Sequence, residues 1–420
     1  MPVDQPEDFS RIKFRLGDVV YEGIVMPRTL YEDKEHITVK LSNGYNIGLR
    51  LDEIEILEVN PPQRQQEAVA EEREIPSQGP RVLILGTGGT ISSRVDYRTG
   101  AVKPAFTAAQ IVDMVPELTR IASISVRTVM NELSENMQPS NWALMAEEVY
   151  RAFEEGFEGV VIAHGTDTMH YSSAALSFAI ENPRGPVVFV GSQRSSDRPS
   201  SDSATNLLGA VLFASRSGAP GVYVAMHEGL NDDLIAVHSG VRVRKNHTSR
   251  RDAFRSVNSR PVASVDIRNM KIHFKKQTAK GAGPMRLLNR FSEKSAIMKY
   301  HPGFSEVLLR TYFNRDVFDA IIVEGTGLGH IARKAFPFVK EFIAGGGFVG
   351  MTSQCIWGSV RLTVYETGRD LLSMGVVPLG DMLSEVALVK SMWALGNELD
   401  LGEVMPRNLR GEISERREVE

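Results

Sequence analysis

The feature that most constrains the fold is a repeated alternation that begins at Arg81. Short apolar runs are each followed by a polar or glycine-rich loop: VLIL by GTGGT, GVVIA by HGTDT, PVVFV by GSQR, and GVYVA by MHEGLNDD. Apolar residues at helical spacing occupy segments between them, as in WALMAEEVYRAF (142–153). This alternation predicts an α/β fold with a mostly parallel sheet. Ligands of such sheets bind beyond the carboxyl ends of the strands, where these loops are expected to lie.

The alternation resumes after about residue 300, in DAIIVEGTGLG and FVGMTSQCIWG. We therefore predict a larger α/β domain over 81–290 and a smaller one over 291–420. Residues 1–60 differ, because short runs rich in Val, Ile and Tyr and an Asn-Gly hairpin signal at 43–44 predict a small SH3-like β-barrel. The polar, proline-bounded stretch 61–80 is predicted to be a linker. A docking role and an RNA-binding role both stay open for the barrel.

Charge excludes one broad class of function for the chain as a whole. The 420 residues carry a net charge of −4, so the molecule is not an overall electrostatic binder of nucleic acid. The stretch 241–280 is locally basic, with 12 Lys and Arg against only Asp252 and Asp266. A solvated loop face and a footprint for an RNA backbone are both consistent with that composition.

The single cysteine, Cys355, excludes an internal disulfide and fits a reducing compartment. The first residues, MPVDQPEDFSRIKF, lack the apolar core of a secretory signal. No run of about 18 apolar residues is present. We therefore expect a cytoplasmic chain that does not span a membrane.

The glycine-rich loop in LILGTGGTI (83–91) suggests a phosphate site but does not fit one. A dinucleotide loop requires a third glycine where Ile91 stands, and a Walker loop requires Gly-Lys-Ser/Thr, which is absent. What remains is a tight turn that presents the hydroxyls of Thr87 and Thr90 at a strand end. Such a hydroxyl is either a nucleophile with a base nearby or an ordinary turn residue.

A second loop, HGTDT (164–168), places Thr166 beside Asp167 at another strand end. A carboxylate there can orient a lysine or bind a substrate ammonium group. The alternative is a local turn stabilised by the Asp or Thr side chain.

Four motifs in order resemble the bacterial-type L-asparaginase/glutaminase family. They are GTGGTI (86–91), SENM (134–137), HGTDTM (164–169) and KNHTSRRDAF (245–254), and DMLSEVALVKSMWALG (381–396) matches as well. The resemblance spans roughly residues 80 to 400 and implies two asparaginase-like α/β domains. It also implies hydrolysis of a side-chain amide through an acyl-enzyme.

By that resemblance, Thr90 is the nucleophile, and Thr166, Asp167 and Lys245 assist it. Main-chain N–H groups of the glycine-rich loops are candidate oxyanion donors. Burial would lower the pKa of a lysine so that its amine can accept a proton, whereas Asp167 would oppose that change. The resemblance further implies that Ser134 and Glu135, with Asp167, hold the α-carboxylate and α-ammonium groups of the substrate.

The family also has a tyrosine in the mobile loop after the first motif. Matched on the downstream end of that loop, this tyrosine is Tyr97, followed by Gly100. The loop between Thr90 and Tyr97 is shorter than in many family members. The general base therefore stays open between Lys245 and Tyr97.

The predicted barrel, the run SRVDYRTGAV (93–102) and the tail NLRGEISER (408–416) narrow the resemblance. Together they resemble the D-subunit family of archaeal glutamyl-tRNA(Gln) amidotransferases, whereas plain asparaginases lack the barrel. This family implies ammonia release from glutamine, with asparagine left open. A free-standing L-asparaginase and a non-enzymatic scaffold that binds RNA remain the alternatives.

The same resemblance implies a set of partners. A kinase-like partner, the E-subunit of the same amidotransferase, is expected to activate Glu-tRNA(Gln) with ATP and Mg²⁺ and to convert it to Gln-tRNA(Gln). A homodimer inside a heterotetramer is expected. This chain itself is expected to hold no cofactor.

The cysteine and the histidines of the chain lead to two further predictions. Cys355 lies in MTSQCIWG without the G-x-C-x-G elbow of a nucleophile, so we predict a buried, inert thiol. The histidines, among them His164, His170, His227 and His238, have no metal-binding spacing. We predict no metal in this chain.

Overall fold

The computed structural model describes residues 6–26, 35–41, 45–61, 73–75, 79–88, 93–95, 102–104, 115–194, 200–277 and 283–415. The first strands are β1 (Arg11–Leu16), β2 (Val19–Met26), β3 (His36–Leu41), β4 (Asn46–Arg50) and β5 (Ile54–Asn60). They form an antiparallel sheet in the order β4-β3-β2-β1-β5. Alternation in β1 buries Ile12 and Phe14 completely and leaves Arg11, Lys13 and Arg15 exposed. The strands predicted as a small barrel therefore exist as this five-stranded sheet.

The larger α/β domain follows. Its strands are β6 (Arg73–Ile75), β7 (Arg81–Gly86), β8 (Ser93–Val95), β9 (Val102–Pro104), β10 (Ser123–Thr128), β11 (Gly159–Ala163), β12 (Ile180–Glu181), β13 (Pro186–Val190), β14 (Gly221–His227), β15 (Leu234–Ser239), β16 (Val243–Lys245), β17 (Phe254–Ser256), β18 (Ala263–Asp266), β19 (Lys271–Phe274) and β20 (Arg286–Leu287). Its helices are α1 (Pro139–Glu154), α2 (Met169–Ala179) and α3 (Ser203–Arg216). Short 3-10 helices cover Pro116–Arg120 and Ser134–Asn136.

Nine of these strands form one sheet in the order β19-β18-β15-β14-β13-β11-β7-β10-β6. Neighbours are parallel from β14 to β10 and antiparallel toward both edges. The central strands are buried on both faces, because alternate residues enter two different cores. Leu83 and Leu85 pack on the side of α1 and α2, whereas Val82 and Ile84 pack on the side of α3.

The smaller domain has a parallel sheet of β21 (Ser295–Lys299), β22 (Ala320–Gly325), β23 (Phe348–Ser353) and β24 (Val377–Pro378). Its helices are α4 (Glu306–Tyr312), α5 (Phe336–Ala344), α6 (Glu366–Ser373), α7 (Ser384–Gly396) and α8 (Leu401–Val404), with a 3-10 turn at Arg333–Ala335. Helix α7 packs on its own sheet and also on α2 of the larger domain, where Phe178 and Trp393 stack with ring centroids 5.6 Å apart. The two α/β domains therefore share one apolar core.

The predicted fold class is confirmed, with one local difference. The helix predicted from WALMAEEVYRAF, with Pro139 and Ser140 at its start, does begin at Pro139, because proline suits the first helical turn and Gln138 and Asn141 cap it reciprocally. Part of the segment predicted as a linker, Arg73–Ile75, is a strand that pairs with β10. None of the helices in the described segments has the length and apolarity needed to cross a membrane.

Candidate active site

Three loops meet at the carboxyl ends of the adjacent parallel strands β11, β7 and β10. Both the backbone N–H and the hydroxyl of Thr87 donate to Ala163 O, at 3.1 and 2.9 Å. The N–H of Glu132, after β10, donates to Thr87 O at 3.0 Å. Backbone bonds therefore hold the start of the GTGGT loop between its two neighbours.

Glycine is required where these loops touch. Gly88 has φ +103°, and a Cβ there would lie 2.4 Å from Glu132 O. A Cβ on Gly165 would lie 2.7 Å from Ser134 Cβ. These glycines thus allow backbones to approach each other, which accounts for their presence without a bound phosphate.

The structure brings together Lys245, Thr166 and Asp167. Lys245 Nζ donates to Thr166 Oγ1 at 2.8 Å and to Asp167 Oδ1 at 2.7 Å. Thr166 is buried, and the Lys245 side chain is 9 % exposed, whereas that of Asp167 is 68 % exposed. A buried hydroxyl, a shielded ammonium group and a solvent-facing carboxylate therefore share one corner of the site.

A hairpin delivers Lys245 to this corner. Strand β16 ends at Lys245 and pairs with β17, and the N–H of Asn246 donates to Ala253 O at 2.7 Å. In the hairpin loop the buried Asp252 accepts from Arg250 and Arg255. Burial alone would raise the pKa of Asp252, but the hydrogen bond from Arg250 and the charge of Arg255 hold it below its usual value. The DAF part of the motif thus anchors the hairpin that carries the lysine.

Ser134 and Glu135 lie on the 3-10 turn beside the HGTDT loop. Ser134 is buried, and its carbonyl accepts a hydrogen bond of 2.6 Å from Thr168 Oγ1. Glu135 is exposed to solvent. The turn is therefore attached to the loop that carries Thr166 and Asp167.

Thr90 and Tyr97 fall outside the described residues, and of the segment between them only Ser93–Val95 is described, as β8. Thr90 as nucleophile and the choice of Lys245 or Tyr97 as general base therefore stay predictions. The roles of the other predicted residues are likewise inferred from the family pattern, whereas their positions are as given above.

An open pocket of about 410 Å³ adjoins Lys245 and contains residues that sequence reasoning missed. Arg244 Nε pairs with Glu385 Oε1 of α7 at 2.7 Å, so the smaller domain contributes to this wall. Burial, and then the charge of Glu385, raise the pKa of Tyr171 to about 12. Burial, followed by the charges of Arg244 and Lys245, lowers the pKa of His170 to about 3, so its ring is neutral. Arg244 adjoins Lys245 in sequence, and Glu385 lies in the motif DMLSEVALVKSMWALG. Neither observation predicted that these two residues lie beside the site.

The basic stretch 241–280 is largely neutralised within the chain. In the part of the stretch that the structure describes, seven cations lie within 4.0 Å of a carboxylate: Arg242, Arg244, Lys245, Arg250, Arg251, Arg255 and Lys275. These partners already compensate much of the charge that a phosphate backbone would contact. The structure thus favours an intramolecular role for the stretch over an RNA footprint.

The prediction that Cys355 is buried is wrong. The residue lies in the loop after β23, its thiol is free, and it is exposed. Strand β23 ends at Ser353, and in the loop that follows the N–H of Cys355 donates to Ser353 Oγ at 3.0 Å. Within the described segments, no group of three His, Cys, Asp or Glu side chains has the arrangement of a metal site.

Three family models match the chain in order. They are the GatD N-terminal domain at residues 7–59, the asparaginase N-terminal domain at 81–280 and the glutaminase/asparaginase C-terminal domain at 294–405. The chain is also similar in structure to the thermostable L-asparaginase from Thermococcus kodakarensis. The two are 36 % identical with a TM-score of 0.73, over 80 % of this chain and all of that one.

Similarity to two archaeal proteins covers nearly the entire length. The D-subunit of the glutamyl-tRNA(Gln) amidotransferase of Thermofilum pendens is 46 % identical over 98 % of this chain and 94 % of its own. That of Methanopyrus kandleri is 49 % identical over 94 % and 89 %. With both asparaginase domains and the additional N-terminal domain present, the chain belongs to the D-subunit family of glutamyl-tRNA(Gln) amidotransferases.

Proposed function

We propose that this chain is the glutamine-hydrolysing subunit of a glutamyl-tRNA(Gln) amidotransferase. The contact of Lys245 with both Thr166 and Asp167, at the carboxyl edge of a parallel sheet, is the observation that carries the proposal. The N-terminal sheet and the full-length similarity to D-subunit proteins support the tRNA-dependent role over a free-standing asparaginase.

The hydrogen bonds that Lys245 donates determine which protons are available to the reacting amide. A lysine ammonium group only donates, so Thr166 Oγ1 accepts from Lys245 and its own hydrogen points elsewhere. That hydrogen is available to an oxygen or nitrogen of the reacting amide. Lys245 donates to Thr166 Oγ1 and to Asp167 Oδ1 at once, so it holds this hydroxyl and this carboxylate in fixed positions.

The reaction that follows is an acyl transfer. The Thr90 hydroxyl attacks the side-chain amide carbon of glutamine, and its proton passes through the Thr166–Lys245 pair to the departing nitrogen, which leaves as ammonia. Water then attacks the acyl-enzyme, glutamate leaves and the hydroxyl of Thr90 is restored. Backbone N–H groups of the GTGGT and HGTDT loops stabilise the oxyanion in both steps.

The exposed groups around the Lys245–Thr166 contact orient the substrate. Asp167 is open to solvent and anionic, so it attracts the α-ammonium group of glutamine. The turn that carries Ser134 and Glu135 adjoins the same loop and completes the site for the α-groups. Asparagine is shorter by one methylene, so a preference between the two amides depends on how far the amide carbon lies from the α-ammonium group bound by Asp167.

The released ammonia is used by a partner. We propose that a kinase-like E-subunit binds ATP and Mg²⁺, activates Glu-tRNA(Gln) and converts it to Gln-tRNA(Gln). This chain then needs no cofactor of its own. We also propose a homodimer of this chain within a heterotetramer, in the cytoplasm where aminoacyl-tRNA is made.

The deciding experiment is ammonia release from glutamine by the purified chain, alone and with its co-expressed partner and Glu-tRNA(Gln). Stimulation by partner and charged tRNA, and its loss in Thr90→Ala, is the expected result. Activity that prefers asparagine and ignores tRNA would identify a free-standing asparaginase. Absence of amide hydrolysis in every mixture would leave the non-enzymatic scaffold.

A further inference from the structure

The C-terminal tail, residues 406–415, is fixed to the smaller domain by a fully buried ion pair. Lys390 Nζ on α7 donates to Glu412 Oε1 at 2.6 Å and to Arg407 O at 2.5 Å. Both charged side chains are completely shielded from solvent. Glu412 also accepts from the N–H of Arg410 at 2.6 Å. Separating such a pair leaves a buried charge without a partner, so the tail stays in place in the folded protein.

The same tail is bound by Arg242 of the larger domain. The buried guanidinium donates from Nε to Gly411 O at 2.7 Å and from Nη2 to Ser414 Oγ at 2.9 Å. Its Nη1 pairs with Asp381 Oδ2 of the smaller domain at 3.0 Å, and the N–H of Ser414 donates to Asp381 Oδ1 at 2.8 Å. Because the planar guanidinium group of Arg242 has hydrogen-bond partners on three sides, it can take only one orientation.

A second contact of the tail reaches helix α2, which follows the HGTDT loop. Arg410 Nε donates to Ser177 O, near the end of α2, at 2.8 Å. Helix α2 begins directly after the HGTDT loop, and Arg242 directly precedes β16, which ends at Lys245. The tail therefore touches both chain segments whose ends meet in the Lys245–Thr166 contact.

We infer that residues 406–415 are a strap that holds Lys245 against Thr166 and Asp167, with Arg242 as the positioning residue. This inference rests on the proposed function for its catalytic consequence. Its geometric part is independent, because loosening the strap frees β16 whether or not an amide is hydrolysed. Burial would raise the pKa of Asp381, but hydrogen bonds from Ser414 and the charge of Arg242 lower it, so the junction is ionic at neutral pH.

The test compares Arg242→Gln with Arg315→Gln. Arg315 is a matched control, because it donates to Gly345 O and Phe318 O and pairs with Asp319 at 2.8 Å, away from the strap. Backbone hydrogen exchange by mass spectrometry is measured in the full chain, together with kcat and KM for glutamine in the complex.

The expected result for Arg242→Gln is a fall in kcat of about ten- to a hundredfold, because a small displacement of a reacting group has that effect. KM should stay within about twofold, since Arg242 does not contact the substrate site. Exchange at residues 243–246 should rise by about tenfold, whereas Arg315→Gln leaves both readouts near the parent values. Arg242→Lys, which keeps the charge, should recover part of kcat.

Three outcomes would overturn the inference. One is that Arg242→Gln matches Arg315→Gln in kcat and in exchange. Another is that exchange rises evenly through the chain with kcat unchanged, which is simple loss of stability. If the parent releases no ammonia, the proposed function fails, and unchanged exchange at 243–246 would overturn the strap as well.

A milder variant covers the case in which Arg242→Gln does not fold. Ser414→Ala removes the hydroxyl oxygen that accepts from Arg242 Nη2 and leaves every buried charge paired. We expect the same direction of change in kcat and exchange, at roughly two- to fivefold. Parent-like values in Ser414→Ala would then overturn the inference.

Discussion

Lys245 Nζ and Thr166 Oγ1 lie 2.8 Å apart although 79 positions separate them in the chain. The hairpin of β16 and β17 supplies the lysine, and the loop after β11 supplies the threonine. The contact depends on a nine-stranded sheet that brings these segments to one edge. Lys245 is therefore the residue whose removal tests the site most directly.

Lys245→Met should lower kcat for ammonia release by about a hundred- to ten-thousandfold, the range for loss of a group that moves a proton. Methionine keeps the length and apolar stem, so the fold should persist. Steady-state kinetics in the complex, with circular dichroism as a folding check, measures the effect.

Lys340→Met is the control for that change, because Lys340 is exposed on α5 in the smaller domain. It should keep parent activity. Comparable activity in the two variants would remove Lys245 from the mechanism and leave Tyr97 as the candidate base.

Gly191→Ala should reduce activity by displacing Thr166. A Cβ on Gly191 would lie 2.7 Å from His164 O and 2.8 Å from Thr166 Cγ2, both parts of the HGTDT loop. Overpacking of this kind destabilises by about 1–3 kcal/mol and moves the hydroxyl away from Lys245. Thermal unfolding and kcat are the measurements.

Gly229→Ala provides the comparison, because its added Cβ would meet nothing within 4 Å. The two variants share the same chemical change, so parent-like behaviour of both would show that the loop accommodates the methyl group. In that case the close packing behind Thr166 would not govern its position.

Sequence reasoning predicted the strands and the family better than the surroundings of the candidate site. The apolar runs at VLIL and GVVIA predicted strands, because residues buried on both faces must be apolar throughout. The approach of Lys245 to Thr166 was not predictable from spacing, since it depends on the register of sheet and hairpin. The grouping of Lys245 with Thr166 came from the family resemblance, and the structure gives the distance between them.

Contacts that form only through tertiary packing were not predicted from the sequence. Arg244 and Glu385 are 141 positions apart in sequence, and only the packing of α7 against the larger domain joins them. Cys355 was misjudged because the lack of a nucleophile motif does not show whether a thiol is buried. Thr90 and Tyr97 lie outside the described residues, so sequence is the sole basis for their roles.

The free energy of unfolding should fall as the pH drops below about 6.5. Burial lowers the pKa of His164 to about 4 and that of His238 to about 3, so the folded state keeps these rings neutral. The unfolded chain binds protons near pH 6.5, so protonation favours unfolding between that pH and the folded values. Each histidine contributes roughly 1 kcal/mol per pH unit over that interval.

Urea denaturation between about pH 7.5 and about pH 5 measures this slope. His238→Asn can keep the hydrogen bond to Ser256 and should reduce the slope by one histidine's share. The same substitution at the exposed His301 should not reduce it. A slope that His238→Asn leaves unchanged would mean that this ring titrates alike in the folded and unfolded protein, so that burial does not lower its pKa.

Cys355→Ser should retain activity within about twofold, because Cys355 is exposed and does not line the pocket beside Lys245. The substitution decides between a threonine and a thiol nucleophile, since many enzymes that release ammonia from glutamine use a cysteine. Ammonia release by the complex is measured in parallel with Thr90→Ala. Loss of activity in Cys355→Ser with retention in Thr90→Ala would transfer the nucleophilic role to the thiol.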